Sequence, residues 1–432
     1  MPMRKQTPKR IYLDHAATTP VDERVMRATW PYFCAKFGNA GSVHSFGQEA
    51  IGAVDAAREI IAGALGAKFN EIIFTGSATE ANNLALRGAV KAFSGERLAF
   101  SKIGDTRSPK IHAPRPRVII SSIEHESVLE TARELGRGGA EHVIVPVNRA
   151  GIVDLKKLEA ALNERTAIVS VMFANNEMGV IQPIAKISEI LRAFRVERSA
   201  FSGDSKKQNS DTLYANRYPL LHTDAAQAFQ YLDCSSGAPN ADLLTISAHK
   251  ICGPKGVGAL YLRRGGLTTN HYPLTPIITG GGQEFGYRSG TENTPLIAGF
   301  GRAASLAIAA REKEAERIRE LRNYFWREFK RIFESAEING DLSKALPNIL
   351  NIFIPGQEAQ FFLTKLDMLG IAASSGSACS ARSLKPPYVI EALGHSAERA
   401  KNSVRFSFGR ATTEKELIEA LRRIRSAFGR QN

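Results

Sequence analysis

An α/β architecture is expected, with a mostly parallel central sheet covered by helices on both faces and a smaller α/β second domain. Three observations predict it. Short apolar runs alternate with helical patterns between residues 71 and 262, the texture changes after Gly280-Gly281-Gly282, and 432 residues exceed one ordinary core. His44 to Ala67 reads as a helix, because Phe46, Ala50, Val54, Ala57, Ile61 and Leu65 keep helical spacing and Gly66 stands where a C-terminal cap belongs. Glu71 to Thr75 reads as a strand, followed by a helix from Thr79 to Phe93. Strands at Val118 to Ser121, Val143 to Val147 and Thr166 to Phe173 are followed by helices from Glu126, from Asp154 to Leu162 and from Pro183 to Phe194. Leu220 to Thr223, Leu243 to Ser247 and Gly258 to Leu262 are further strands, and a long charged helix runs from about Pro295 to Phe333.

The composition is globular, with 43% hydrophobic and 23% charged residues. No apolar run approaches the roughly 18–20 residues that span a bilayer. Nor does an apolar segment follow the basic start, so neither membrane insertion nor export is expected. Of the formal net charge of +14, residues 1–10, 91–117 and 192–217 carry +4, +5 and +3. The two internal stretches are polar and rich in Ser, Gly and Pro, so they read as surface insertions. No aromatic residues interleave with a basic stripe, which argues against direct nucleic-acid binding. An acidic protein partner or a membrane surface also suits such loops. Cys34, Cys234, Cys252 and Cys379 form no C-x-x-C pair, so a reducing cytoplasm is the expected setting.

In an open parallel sheet, ligands bind beyond the carboxyl ends of the strands. Five predicted strand ends lead into chemistry-bearing residues: Thr75-Gly76-Ser77-Ala78-Thr79, Glu124-His125, Asn175-Asn176, Asp224 with Gln227, and Ser247-Ala248-His249-Lys250. Singly, each has an ordinary reading: Ser77 or Thr79 as a helix cap, His125 as a core histidine, Asp224 as a cap, Lys250 as a surface lysine. Their convergence on one face favours a ligand. A helix N-terminus at Ala78 and Thr79 suits a phosphate, with Ser247 and His249 as further donors. Asp224 suits a protonated ring nitrogen, His125 a stacking ring, and Lys250 an imine. Together these describe pyridoxal 5'-phosphate.

Four segments resemble the cysteine desulfurases of the NifS/IscS type, within the class V pyridoxal-phosphate-dependent aminotransferase superfamily. They are Tyr12 to Pro20, Asn175-Asn176-Glu177-Met178-Gly179, Ser247 to Gly256, and Arg288-Ser289-Gly290-Thr291-Glu292-Asn293. The resemblance covers about Ile11 to Arg430 and implies the type I fold of such enzymes. A large cofactor-binding domain is expected over 18–276, with insertions at about 95–117 and 196–218. A small domain is expected over 1–17 plus 277–432. A homodimer is implied, its active sites at the subunit interface. The implied roles are Lys250 for the imine, His125 for stacking and proton shuttling, Asp224 for the pyridine nitrogen and Gln227 for the phenolic oxygen. Ala78, Thr79, Ser247 and His249 are implied for the phosphate, with Thr291 supplied by the partner subunit. Asn176 and Arg405 are implied near the substrate carboxylate.

Cys379 lies in Ser374-Ser375-Gly376-Ser377-Ala378-Cys379-Ser380-Ala381, where small residues on both sides read as a flexible loop. The segment resembles the catalytic loop of the long-loop desulfurases, which implies conversion of L-cysteine to L-alanine with the sulfur held on Cys379 as a persulfide. The acceptor is expected to be a protein such as an iron–sulfur scaffold or a tRNA-thiolation protein. No resident metal is expected, although Cys379 can transiently ligate an iron–sulfur cluster. Cys34, Cys234 and Cys252 read as structural. Two departures stand out: Phe285 replaces a usual arginine, and Asn39 is not followed by proline. The short end after the last helix leaves scaffold docking open. The rival readings are a selenocysteine lyase, another class V aminotransferase, and a basic interaction protein on a relic fold.

Overall fold

Runs of apolar residues pair into sheets because a strand buried on both faces has no polar side to alternate with. The computed structural model describes residues 10–100, 115–201, 218–235, 240–264, 274–376 and 388–429, with side chains of 96–100 and 198–201 excepted. Its strands in chain order are β1 (Ile11–Tyr12), β2 (Ile72–Thr75), β3 (Arg117–Ser121), β4 (Glu141–Val145), β5 (Thr166–Ser170), β6 (Leu220–Asp224), β7 (Leu243–Ser247), β8 (Gly258–Leu262), β9 (Glu337–Ile338), β10 (Ile349–Phe353), β11 (Ile371–Ala372) and β12 (Ser403–Ser407). Seven of them form one sheet in the order β2-β8-β7-β6-β5-β3-β4. Neighbours from β7 to β4 are parallel, and β8 runs antiparallel to both β7 and β2. Every residue of β2, β5, β6, β7 and β8 is buried. The edge strand β4 alternates instead.

The helix Ser45–Leu65 starts on His44, whose ring accepts from the Gly47 amide, and ends at Gly66 with φ 58°. That positive φ is the left-handed cap glycine supplies without strain. The helix packs on the long helix Thr294–Ile332, where a Cβ on Gly301 would stand 2.7 Å from the Ala57 Cα. Only glycine permits that approach. Beyond it lies a three-stranded antiparallel sheet, β12-β10-β9, with a core of Phe325, Phe329, Phe362, Phe406 and Phe408. β1 joins this part of the molecule by pairing with β11.

Two helices run further than their patterns indicate. The expected Thr79 to Phe93 helix extends over Ala78–Phe100, and the expected Pro183 to Phe194 helix over Ile184–Phe201. The start of each basic insertion is thus helical rather than loop. Ser94 and Gly95 are poor helix formers, but one glycine costs only about 1 kcal/mol and does not stop a packed helix. Residues 101–114 and 202–217, most of the remainder of both stretches, lie outside the described residues. Replacing 202–217 by a short Gly/Ser link should leave cofactor binding intact, since closure entropy grows slowly with loop length. Loss of the cofactor's visible band in that variant would show the segment to be structural.

Phe285, at the position of the usual arginine, packs over a buried ion pair. Arg58 Nη1 and Nη2 lie 2.7 and 2.8 Å from the Glu284 carboxylate, which also accepts from the Phe74 amide. The Arg58 guanidinium lies 4.8 and 5.0 Å from the Phe74 and Phe285 ring centroids, and Arg264 lies 5.3 Å from Phe285. An arginine here would set a third guanidinium beside those two. Glu284→Ala strands a buried cation and should lower the unfolding free energy by about 3–5 kcal/mol, read as a fall in the thermal midpoint. A midpoint within 1 °C of wild type, on the order of the scatter expected for surface changes, would refute this.

Candidate active site

Four parallel strand ends and the end of β2 meet at one edge of the large sheet. Between them and the β12 strand lies a cavity of about 180 Å³ lined by Ala78, Thr79, His125, Asn176, Asp224, Gln227, His249, Lys250 and Arg405, together with Ala16, Ala17, Ser127 and others. Nine of the residues singled out in the sequence therefore share one space. Ser247 is buried at the end of β7 and does not line it. Thr291 lines a separate cavity with Gly76, Gly256 and Arg288. Cys379 lies outside the described residues.

At one end, Ser77 caps the helix Ala78–Phe100: its Oγ accepts from the Glu80 amide at 3.1 Å. The cap reading of Ser77 and the ligand reading of the amides beyond it coexist, because a cap satisfies only one of the four free N–H groups. Gly258 makes room for this turn, since a Cβ there would lie 2.8 Å from the Ser77 carbonyl carbon and 2.9 Å from the Ala78 nitrogen. The His249 ring sits 3.2 Å from the Thr18 hydroxyl. Its pKa is pushed down to about 3, chiefly by burial and then by the charges of Lys250, Lys255 and His125. A neutral ring is thus presented to an anion as a hydrogen-bond partner.

At the other end, Lys250 Nζ donates to the carbonyls of Ala16 and Ala17 at 2.6 and 2.8 Å. Gln227 Nε2 donates to the same Ala16 carbonyl at 2.9 Å. Asp224 is buried, its carboxylate accepting from the Ala226 amide at 2.9 Å and from Asn82 at 2.7 Å. Arg405 is 1% exposed; it donates to Asp14 and to the Asn176 carbonyl, both at 2.8 Å. Arg405 Nε and Asn176 Oδ1 are buried with no hydrogen-bond partner among the described residues.

Asp14, Ala16, Asn82 and Ser127 were not singled out as site residues from the sequence. Asn82 carried one signal: it stands one helical turn beyond Ala78, on the face that the phosphate-type turn opens. Glu124, beside His125, is wholly buried and accepts from the Ser121 hydroxyl and the Met172 amide. Burial pushes its carboxyl up to about 8.

Burial dominates the titration of the histidines beneath the site. His15 and His222 are pushed down to about 4, chiefly by burial, as His249 is to about 3. Each folded value lies below the unfolded one, so this stability is present above about pH 6.5 and is lost as pH falls towards 4. Glu124 works in the opposite sense, three groups against one. The thermal midpoint should drop as pH falls from 7 to 4.5, and a flat or rising profile would contradict these assignments.

The sequence model of "Aminotransferase class-V" matches residues 11–196 and 211–421. The chain belongs to the class V aminotransferase family. Among its relatives, the cysteine desulfurase IscS of Dictyoglomus turgidum is 39% identical over 419 residues, 96% of this chain and 94% of that protein. A solved NifS-like protein superposes with a TM-score of 0.80 at 32% identity, covering 97% of this chain and 99% of its own. The NifS-like protein from Rickettsia africae superposes with a TM-score of 0.76 at 30% identity, covering 96% and 99%. The class V cofactor is pyridoxal 5'-phosphate, and the residues present fit it. The free amides at Ala78 and Thr79, the amine of Lys250 and the carboxylate of Asp224 are the donors and acceptors this group requires. The orphaned Asn176 Oδ1 and Arg405 Nε lie on the same wall.

Burial pushes Cys234 up to about 12 and also raises Cys252, which makes both poor nucleophiles at neutral pH. Cys34 is exposed, at the end of the short helix Pro31–Cys34. Among the described residues no helix is long and apolar enough to cross a membrane.

Proposed function

We infer that this chain is a cysteine desulfurase, converting L-cysteine to L-alanine and retaining the sulfur as a persulfide on Cys379. The observation that carries the reading is the junction of two features. The cavity holding Lys250 and Asp224 is walled by Arg405, and the Arg405 backbone pairs with Ser374, at the start of the segment leading to Cys379. Three further peptide units, at most about 10 Å of chain, separate Gly376 from Cys379.

Pyridoxal 5'-phosphate, bound to Lys250, supplies an electron sink for the substrate carbon. The helix amides at Ala78 and Thr79, with the His249 ring, would hold its phosphate, whereas Ser247, which is buried, does not line that cavity. Asp224 would hold the ring nitrogen as a cation, Gln227 would serve the phenolic oxygen and His125 would offer its ring for stacking. Arg405 and Asn176 orient the substrate carboxylate. The Cys379 thiolate attacks the substrate sulfur, the C–S bond breaks with its electron pair on carbon, and that carbon takes a proton to leave as alanine. Asp224→Ala should weaken cofactor binding and cut turnover by orders of magnitude; near-normal turnover would sink that role.

We extend the proposal to a homodimer. Thr291 stands on a cavity apart from the one its own chain builds around Lys250, as expected of a residue offered to a partner's phosphate. The exposed ring pairs Trp30–Phe33 and Phe37–Phe46, with exposed Val43 nearby in the chain, are apolar groups that suit burial against a second copy. The sulfur then passes to an acceptor protein for iron–sulfur cluster assembly or tRNA thiolation in a reducing compartment. Purified protein supplied with L-cysteine and a thiol reductant should release alanine and sulfide in equal amounts. Amino-group transfer to a 2-oxo acid without sulfide would overturn the reading in favour of an aminotransferase.

A further inference from the structure

The helix that opens at the phosphate end reaches back into the site one turn later. Asn82, fully buried, places its Nδ2 2.7 Å from Asp224 Oδ2 and 2.9 Å from Ser127 Oγ. Ser127 Oγ is in turn 2.9 Å from His125 Nδ1, which also accepts from the Ser127 amide at 3.1 Å. The direction of each bond follows from what each group can do. A carboxylate only accepts, so the amide nitrogen of Asn82, not its oxygen, must face Asp224. Its second hydrogen goes to Ser127 Oγ. That hydroxyl, having accepted, donates its own hydrogen to His125 Nδ1. Two hydrogens then point at Nδ1, which makes it the unprotonated nitrogen and leaves the His125 proton on Nε2.

We propose that Asn82 and Ser127 are positioning residues that tie the Asp224 carboxylate and the His125 ring into one hydrogen-bonded unit. The partner of the cofactor's ring nitrogen and the side chain stacked on the ring are thereby set together. One helix, Ala78–Phe100, would serve both ends of the cofactor: its first amides would hold the phosphate, and Asn82 holds the Asp224 carboxylate that would pair with the ring nitrogen. The bridge also fixes His125 as a donor through Nε2. This rests on the assignment of pyridoxal 5'-phosphate to the cavity.

The test uses wild type, Asn82→Leu, Ser127→Ala and the double variant, each stripped of cofactor and titrated with pyridoxal 5'-phosphate. Asn82→Leu should weaken binding about tenfold, the effect of one charge-assisted hydrogen bond. It should also move the pH midpoint of the visible absorption band by about half a unit or more, because the carboxylate beneath the nitrogen is no longer held. Ser127→Ala should bind within about twofold of wild type but change the pH profile of kcat, which reports His125. In the double variant the Ser127→Ala effect should shrink, because a broken bridge has less to lose. Unchanged binding and pH midpoint in Asn82→Leu, or strictly additive effects, overturns the bridge. A wild-type chain that takes up no cofactor overturns the cofactor assignment instead. If Asn82→Leu does not fold, Asn82→Ala replaces it with the same expectations.

Discussion

Replacing Cys379 by serine is expected to lower alanine release by roughly a thousandfold or more while leaving cofactor binding unchanged. The sulfur atom of the substrate is attacked well by a thiolate and hardly at all by a hydroxyl, whose proton leaves only at far higher pH. Cofactor binding depends on the Ala78–Thr79 amides, Asp224 and Lys250, none of which the substitution alters. Mass spectrometry after one turnover without reductant should find one added sulfur on Cys379 in the wild type and none in the variant. Burial has made Cys234 and Cys252 poor candidates for that sulfur, but Cys34 is exposed and gives the experiment its contrast. Sulfur on Cys34, or normal alanine release by the serine variant, would remove the central step of the proposed function. The serine variant also separates a desulfurase from a selenocysteine lyase, which does not strictly need the loop thiol.

Lys250→Ala should show the second large effect: loss of the borohydride-trapped cofactor adduct and of essentially all turnover. The amine is held by the Ala16 and Ala17 carbonyls against the cavity that Asp224 and His125 also line. Among the described residues it is the lysine that lines that cavity, whereas Lys255 lies on a different one. Removing the amine leaves the phosphate-type turn in place, so the variant should still bind pyridoxal 5'-phosphate, but reversibly and with the spectrum of the free aldehyde. An adduct that persists on another lysine would move the anchor elsewhere and undo the reading of this strand end.

Much of this was legible because the signals are local. β7 and β8 occupy the residues their apolar runs mark, and Lys250 follows β7 by three positions. The two helices that overran their patterns were not legible. Ser94 and Gly95 and the charged run after Phe194 weaken the pattern, but propensity is only a weak prior, and the helices continue to Phe100 and Phe201. The antiparallel course of β8 was also hidden, because a buried apolar run reads the same in either direction.

The sequence by itself determined the element order, the cofactor-type residues at successive strand ends and the small-residue setting of Cys379, because periodicity, caps and motif spacing act over a few neighbouring residues. Contacts between distant residues were decided only by the fold. Asn82 meets Asp224 across 142 positions, Lys250 meets the Ala16 carbonyl across 234, and Arg405 meets Asp14 across 391. The same folding set Thr291 on a cavity apart from Lys250, although its motif follows the lysine segment closely in the chain. Such pairings depend on strand order and helix crossing. Those are set by burying apolar faces against one another, a property of the whole chain that no short window of sequence contains.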